Sequence, residues 1–202
     1  MSTLRKHGFK IAVLALCAVM AVYLLLTYVW KPEEKLGVLG AASDFQLEDI
    51  DGNAFSMAES NGKVRLLYFY FANCPDVCPP TTYLLSELQE KLREQGKLGT
   101  EVELVSITFD PERDTPDVIR TFAERTGVEF DGWHFLRGEE DETVKIAKDY
   151  MVGVTKIEEQ NTFIHTNVVT LIDKDGNIRK RYSGTAEDMS VEEMLKQLKM
   201  LL

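Results

Sequence analysis

The chain has 202 residues, 45% hydrophobic and 28% charged, an ordinary globular composition whose length suggests one main domain with an attachment. Its formal net charge is −10; the first thirty residues carry Arg5, Lys6 and Lys10 and no acid, so removing that +3 leaves about −13 on residues 31–202. Such a surface excludes nucleic acid and anionic lipid headgroups as partners and suits a cationic partner or cargo.

Residues 11–30, "IAVLALCAVMAVYLLLTYVW", form an uncharged run. It is long enough to cross a bilayer as a helix of roughly 20 residues. Arg5, Lys6 and Lys10 precede it, so the positive-inside bias places residues 1–10 in the cytoplasm and the bulk of the chain outside. Tyr28 and Trp30 stand where an interfacial aromatic belt would. A cleaved signal peptide is the competing reading, but its apolar core is usually shorter and no A-x-A site follows. Lipidation at Cys17 would want a small residue before it, and Leu16 is there. Cys17 is read as a small apolar residue facing lipid. The expected location is the cell membrane, with a single pass and an extracytoplasmic C-terminal domain.

Residues 31–43 contain Pro32, Gly37 and Gly40 and read as a linker. From residue 44 to 202 strand and helix signals alternate. "DFQLEDIDGNAFSM" predicts a hairpin turning at Asp51-Gly52. "VRLLYFYF", residues 64–71, predicts a central buried strand. The stretch "FANCPDVCPP" follows, and then Leu84, Leu85, Leu88 and Leu92 recur at helical spacing. "VELVSITF", residues 102–109, is a second strand. Thr115-Pro116 opens a helix as N-cap and first residue, with Val118, Ile119 and Phe122 inward and Gly127 near its end. A short strand at 133–136 and a helix over 143–150 come next. Residues 167–172 and 178–182 form a hairpin about Asp175-Gly176, and Ser190 with Glu193 caps a last helix. This order predicts an α/β protein with a thioredoxin-like fold, an N-terminal β-hairpin and insertions, preceded by one transmembrane helix.

Cys74 and Cys78 are spaced C-x-x-x-C in the loop between the central strand and its helix. If that segment is helical, both sulfurs lie on one face. A helix N-terminus favours thiolate, which is both nucleophile and metal ligand. The chain has three histidines. His7 falls in the cytoplasmic tail, and His134 alternates with apolar neighbours on a short strand. His165 stands just before "TNVVTLID", whose strand start lies beside the cysteine loop in such a sheet. Two thiolates and one imidazole make a soft site of low coordination number. Iron–sulfur clusters normally use four cysteines and structural zinc four protein ligands, so copper, as Cu(I) or Cu(II), suits Cys74, Cys78 and His165 best. A plain structural disulfide explains the cysteines but not His165. A thioredoxin-type reductase wants C-x-x-C and a cis-proline facing it, and no proline follows Pro116. A peroxiredoxin would have Pro and Thr where Leu67 and Phe71 stand. Redox chemistry at a Cys74–Cys78 disulfide remains open, coupled to metal loading because only the dithiol binds copper.

Together, "CPDVCP", "TFDPERDTP" and "HTNVVTLIDKDG" resemble the Sco/SenC family of copper proteins, over residues 42–202 plus the usual N-terminal anchor. The resemblance implies a thioredoxin-like fold and copper ligands at Cys74, Cys78 and His165. It implies a role in assembling the binuclear copper centre of cytochrome c oxidase subunit II, without turnover as an enzyme. Another copper carrier or a thiol reductant stands on the supply side. Asp110 is placed as an acid near the metal; its competing role is to form the turn with Pro111. Two departures, Ile164 where an acid often precedes the histidine and Phe71-Ala72-Asn73 before the first cysteine, bear on affinity and redox poise. The alternative function is an extracytoplasmic thiol–disulfide oxidoreductase acting on cysteines of the oxidase subunit or another copper protein.

Overall fold

The computed structural model describes residues 3–29, 36–160, 162–183 and 189–202. The chain divides into two units, Met1–Lys35 and Leu36–Leu202.

In the first unit, helix α1 (Thr3–Leu24) runs on into a π-helical turn, Leu25–Val29. Residues His7–Thr27 are long and apolar enough to cross a membrane. Thr27 Oγ1 donates to the Tyr23 carbonyl at 2.8 Å, so this hydroxyl is satisfied within the helix. Trp30 and residues 31–35 of the expected linker lie outside the described residues.

The second unit is built on an eight-stranded sheet. Strands β1 (Gly40–Ala41), β2 (Gln46–Asp49), β3 (Ala54–Ser56), β4 (Val64–Tyr70), β5 (Val102–Thr108) and β6 (Trp133–Arg137) come first in the chain. A separate hairpin, β7 (Val154–Ile157) and β8 (Thr162–His165), precedes β9 (Val168–Ile172) and β10 (Asn177–Ser183). The order across the large sheet is β1-β10-β9-β4-β5-β6-β2-β3. β4, β5 and β6 are parallel neighbours; the other pairings are antiparallel. All seven residues of β4, and all seven of β5, are buried. That is why they read as continuous apolar runs rather than alternating ones.

Among the described residues, four α-helices complete the unit: α2 (Cys78–Glu94), α3 (Pro116–Thr126), α4 (Glu140–Asp149) and α5 (Val191–Lys199). α2 buries Leu85, Leu88 and Leu92 and packs against α3 and α5. α3 starts as its sequence dictates, with Thr115 Oγ1 accepting from the Val118 N–H and Pro116 at its first position. It ends at Gly127, whose φ of +72° is the left-handed cap that glycine takes without strain. This is the thioredoxin-like α/β architecture expected, with the β2–β3 hairpin extending one edge.

Two features differ from the sequence reading. Residues 36–43 belong to the folded unit rather than to a free linker. β1 pairs with β10, Arg179 Nε donates to the Gly37 carbonyl, and Tyr150 Oη donates to the Ser43 carbonyl at 2.6 Å. The β7–β8 hairpin was not anticipated, because "VTKI" and "TFIH" are too short and mixed to carry a clear period of two.

Candidate metal centre

The loop 71–77 leaves the end of β4 and turns at once, with the Cys74 N–H donating to the Phe71 carbonyl at 3.2 Å. Val77 occupies the N-cap and offers no side-chain cap. Cys78 is the first helical residue, and Pro79 and Pro80 fill the first turn, where a missing N–H leaves no broken bond. Of the two cysteines only Cys78 is helical; Cys74 sits in the preceding turn. The loop still folds its sulfur back over the helix start. Both thiols are free and buried.

His165 is the last residue of β8, held opposite Val154 of β7. The Thr166 N–H donates to the Gly153 carbonyl at 3.0 Å and the Gly153 N–H to Thr166 Oγ1 at 2.9 Å, locking the end of the hairpin. His165 Nδ1 lies 3.2 Å from the Thr166 carbonyl and donates to it. This turns Nε2 to the sulfurs, 3.4 Å from Cys78 Sγ. With Nδ1 so held, the ring is oriented edge-on to the sulfurs, the arrangement that fixes a metal-ligating imidazole. The Phe109 and Phe71 rings stand 5.1 and 5.9 Å from the imidazole, and Phe163 packs on both. The donor atoms of Cys74, Cys78 and His165 all lie within 4.8 Å of one another.

The two thiols are electrostatically unlike. Hydrogen bonds from the Cys78 thiol, from His165 and from the Asp76 and Cys78 backbone draw Cys74 down to about 4 against the cost of burial. Burial, and the negative charge of its partner, push Cys78 far up. The pair thus holds one thiolate and one thiol, sharing a proton. The buried Tyr68 hydroxyl lies beside Cys78, and both burial and that neighbour raise it well above the usual phenol range.

Asp110 is buried, and its carboxylate is engaged by Arg113 at 2.5 Å. Its N–H donates to Thr108 Oγ1, and its carbonyl accepts from Arg113 and Asp114 in a turn. It is not one of the clustered donors. Asp114 does more for the loop. Its Oδ2 accepts the Ala72 N–H at 2.9 Å and the Thr108 hydroxyl at 2.5 Å, tying the entry of the cysteine loop to the end of β5. Asn167 Nδ2 donates to Thr81 Oγ1 at 2.9 Å, tying the approach to β9 to α2. Asp114 is the third acid of "TFDPERDTP", so the sequence displayed the residue but not its partner Ala72, 42 positions away. His134 lies instead beside Glu103 at 3.6 Å and on the Phe55 ring, a satisfied structural histidine.

A sheet strand feeding a cysteine loop into a helix, with an imidazole brought across to two free sulfurs, defines a thioredoxin-like domain equipped for soft metal or thiol chemistry. The SCO1/SenC family profile matches residues 35–202. The SCO1 protein homolog of Bacillus subtilis (strain 168) is 31% identical over 157 residues, 77% of this chain and 79% of the relative. The solved structure of Bradyrhizobium japonicum ScoI with copper bound superposes with a TM-score of 0.66 and 31% identity, covering 80% of this chain and 99% of that one. That of BsSco, described by its disulfide switch and as a member of the Sco family of cytochrome c oxidase assembly proteins, gives 0.72 and 29%, covering 84% and 98%. The chain belongs to the SCO1/SenC family.

Proposed function

We propose that this protein is a membrane-anchored copper-binding assembly factor that serves the binuclear copper centre of cytochrome c oxidase subunit II. Copper is its cargo. Cys74, Cys78 and His165 hold the ion, and residues 11–30 anchor the chain with residues 1–10 in the cytoplasm and the folded unit outside. One observation carries the reading: two sulfurs and one imidazole nitrogen lie within 4.8 Å of one another. A thiolate, a thiol that needs only to lose its proton, and an oriented imidazole suit Cu(I), which accepts three ligands, and Cu(II) with an added oxygen ligand. The copper-bound relative from Bradyrhizobium japonicum supports the same reading.

The test is a copper titration of the full-length reduced chain in detergent, followed by sulfur-to-copper charge-transfer absorption and metal analysis. One copper per chain is expected, with affinity reduced by orders of magnitude in His165→Ala. No stable copper in the native chain would sink the reading.

A second reading is favoured by the inequality of the thiols. Cys74, drawn down to about 4, is a nucleophile at neutral pH, which suits thiol–disulfide exchange on cysteines of the oxidase subunit. An exchange rate unchanged in His165→Ala would support this oxidoreductase role over copper delivery.

A further inference from the structure

Cys74 has a second face. Away from the clustered donors, the loop and α3 enclose a cleft of about 330 Å³. Asn73, Cys74, Pro79, Phe122 and Arg125 line it, and neither Cys78 nor His165 does. Its size sits at the lower end of the range for small-molecule sites. Pro79 and Phe122 give it an apolar wall, and Cys74 is the lining residue that carries a thiol.

Arg125 is the informative residue. The chain holds 33 acids against 23 lysines and arginines. Arg93, Arg113, Arg120 and Arg179 all reach carboxylates. Arg125 is exposed and has no ion pair among the described residues. An arginine at the end of α3 also suits the helix dipole, but that role does not require it to line a cleft with a cysteine. A free guanidinium beside a short apolar wall and a sulfur matches a molecule with a carboxylate, a short stem and a thiol.

We propose that this cleft receives a low-molecular-weight thiol bearing a carboxylate, which opens the Cys74–Cys78 disulfide by attack on Cys74. The inference rests on the reading of these cysteines as a redox pair. The carboxylate pairs with Arg125, and the incoming thiolate attacks the Cys74 sulfur. A Cys74–thiol mixed disulfide forms, the Cys74–Cys78 bond breaks, and Cys78 leaves as a thiolate and takes up one proton, matching the one the incoming thiol gave up on ionising. A second thiolate attacks the sulfur of the bound thiol and releases Cys74 as its thiolate. Two small thiols are oxidised to their disulfide and the protein pair is reduced by two electrons to the dithiol that binds copper.

The test uses the full-length chain in detergent, oxidised to the Cys74–Cys78 disulfide. Opening by 3-mercaptopropionate, 2-mercaptoethanol and cysteamine is timed at low salt, and each rate per thiolate is divided by that thiol's rate with a neutral small disulfide so that intrinsic nucleophilicity cancels. The negative field of the whole chain, acting alone, makes the cationic cysteamine fastest. The cleft makes 3-mercaptopropionate fastest, by roughly fivefold over the neutral thiol, with the advantage shrinking in high salt. Arg125→Glu should abolish or reverse the preference and Arg125→Lys should keep most of it. Equal rates, a cationic preference in the parent, an anionic preference that survives Arg125→Glu, or a chain that forms no such disulfide would each overturn the proposal. Copper binding by the reduced parent is measured separately. Its absence beside an intact anionic preference would sink the copper reading and leave this inference standing.

Discussion

Asp114 is wholly buried, and one of its oxygens has no hydrogen-bond partner among the described residues. Burial pushes its carboxyl from 3.8 up to about 6. Between those values the folded chain keeps a proton that the unfolded chain releases, so this group lowers stability as pH rises from about 4 to about 6. Above 6 the full cost applies, about 3 kcal/mol at 1.4 kcal/mol per unit. Asp114→Asn keeps an oxygen for the Ala72 N–H and the Thr108 hydroxyl and removes the charge. Urea unfolding of the reduced, metal-free proteins should show the variant gaining roughly 2–3 kcal/mol on the parent between pH 4 and pH 7. A difference that stays flat with pH would refute the assignment. The cysteines offer a second check at this scale. Iodoacetamide should label Cys74 at a rate nearly constant from pH 5 to pH 8, because its thiolate is already formed. Cys78, buried and protonated, should stay unlabelled in the folded chain. A Cys74 rate that climbs about tenfold per pH unit would mark an ordinary thiol.

At the scale of elements, the site is a meeting of two. The strand–loop–helix unit from β4 to α2 supplies the sulfurs, and the β7–β8 hairpin supplies the imidazole. Phe163 joins them: it is buried on Phe71 of the cysteine loop and on Phe109 at the end of β5, with the Lys156 ammonium 5.5 Å from its ring centre. Phe163→Ala should cost about 3 kcal/mol. On the proposed function it should also weaken copper binding although Cys74, Cys78 and His165 all remain, because β8 loses the contact that holds His165 over the sulfurs. Calorimetric melting with a copper titration separates the two effects. Undiminished copper affinity in a destabilised variant would show that the Gly153–Thr166 hydrogen bonds suffice to hold His165.

For the whole molecule, the folded unit Leu36–Leu202 and the apolar helix have opposite solvent demands. The chain should stay with membranes through alkaline carbonate extraction, whereas residues 36–202 expressed alone should be released and remain folded. Release of the full chain would argue against an anchor. The strongly acidic folded unit also implies that docking to a basic surface is steered by charge and slows as salt is raised.

The sequence by itself determined the apolar span, the buried central strands and the helix starts, since these depend on local period and capping: the run from Val64 to Tyr70, the Thr115-Pro116 start and the Asp175-Gly176 turn all appear where read. It also picked out the three residues that cluster, because two cysteines in a strand-to-helix loop and one histidine before the final hairpin leave few other candidates. Tertiary structure alone decided how the donors meet. The bond from Ala72 to Asp114 spans 42 positions, and that between Cys78 and His165 spans 87, so no local pattern records either. The unequal charge of the two thiols likewise arises from burial and neighbours that only the folded chain brings together.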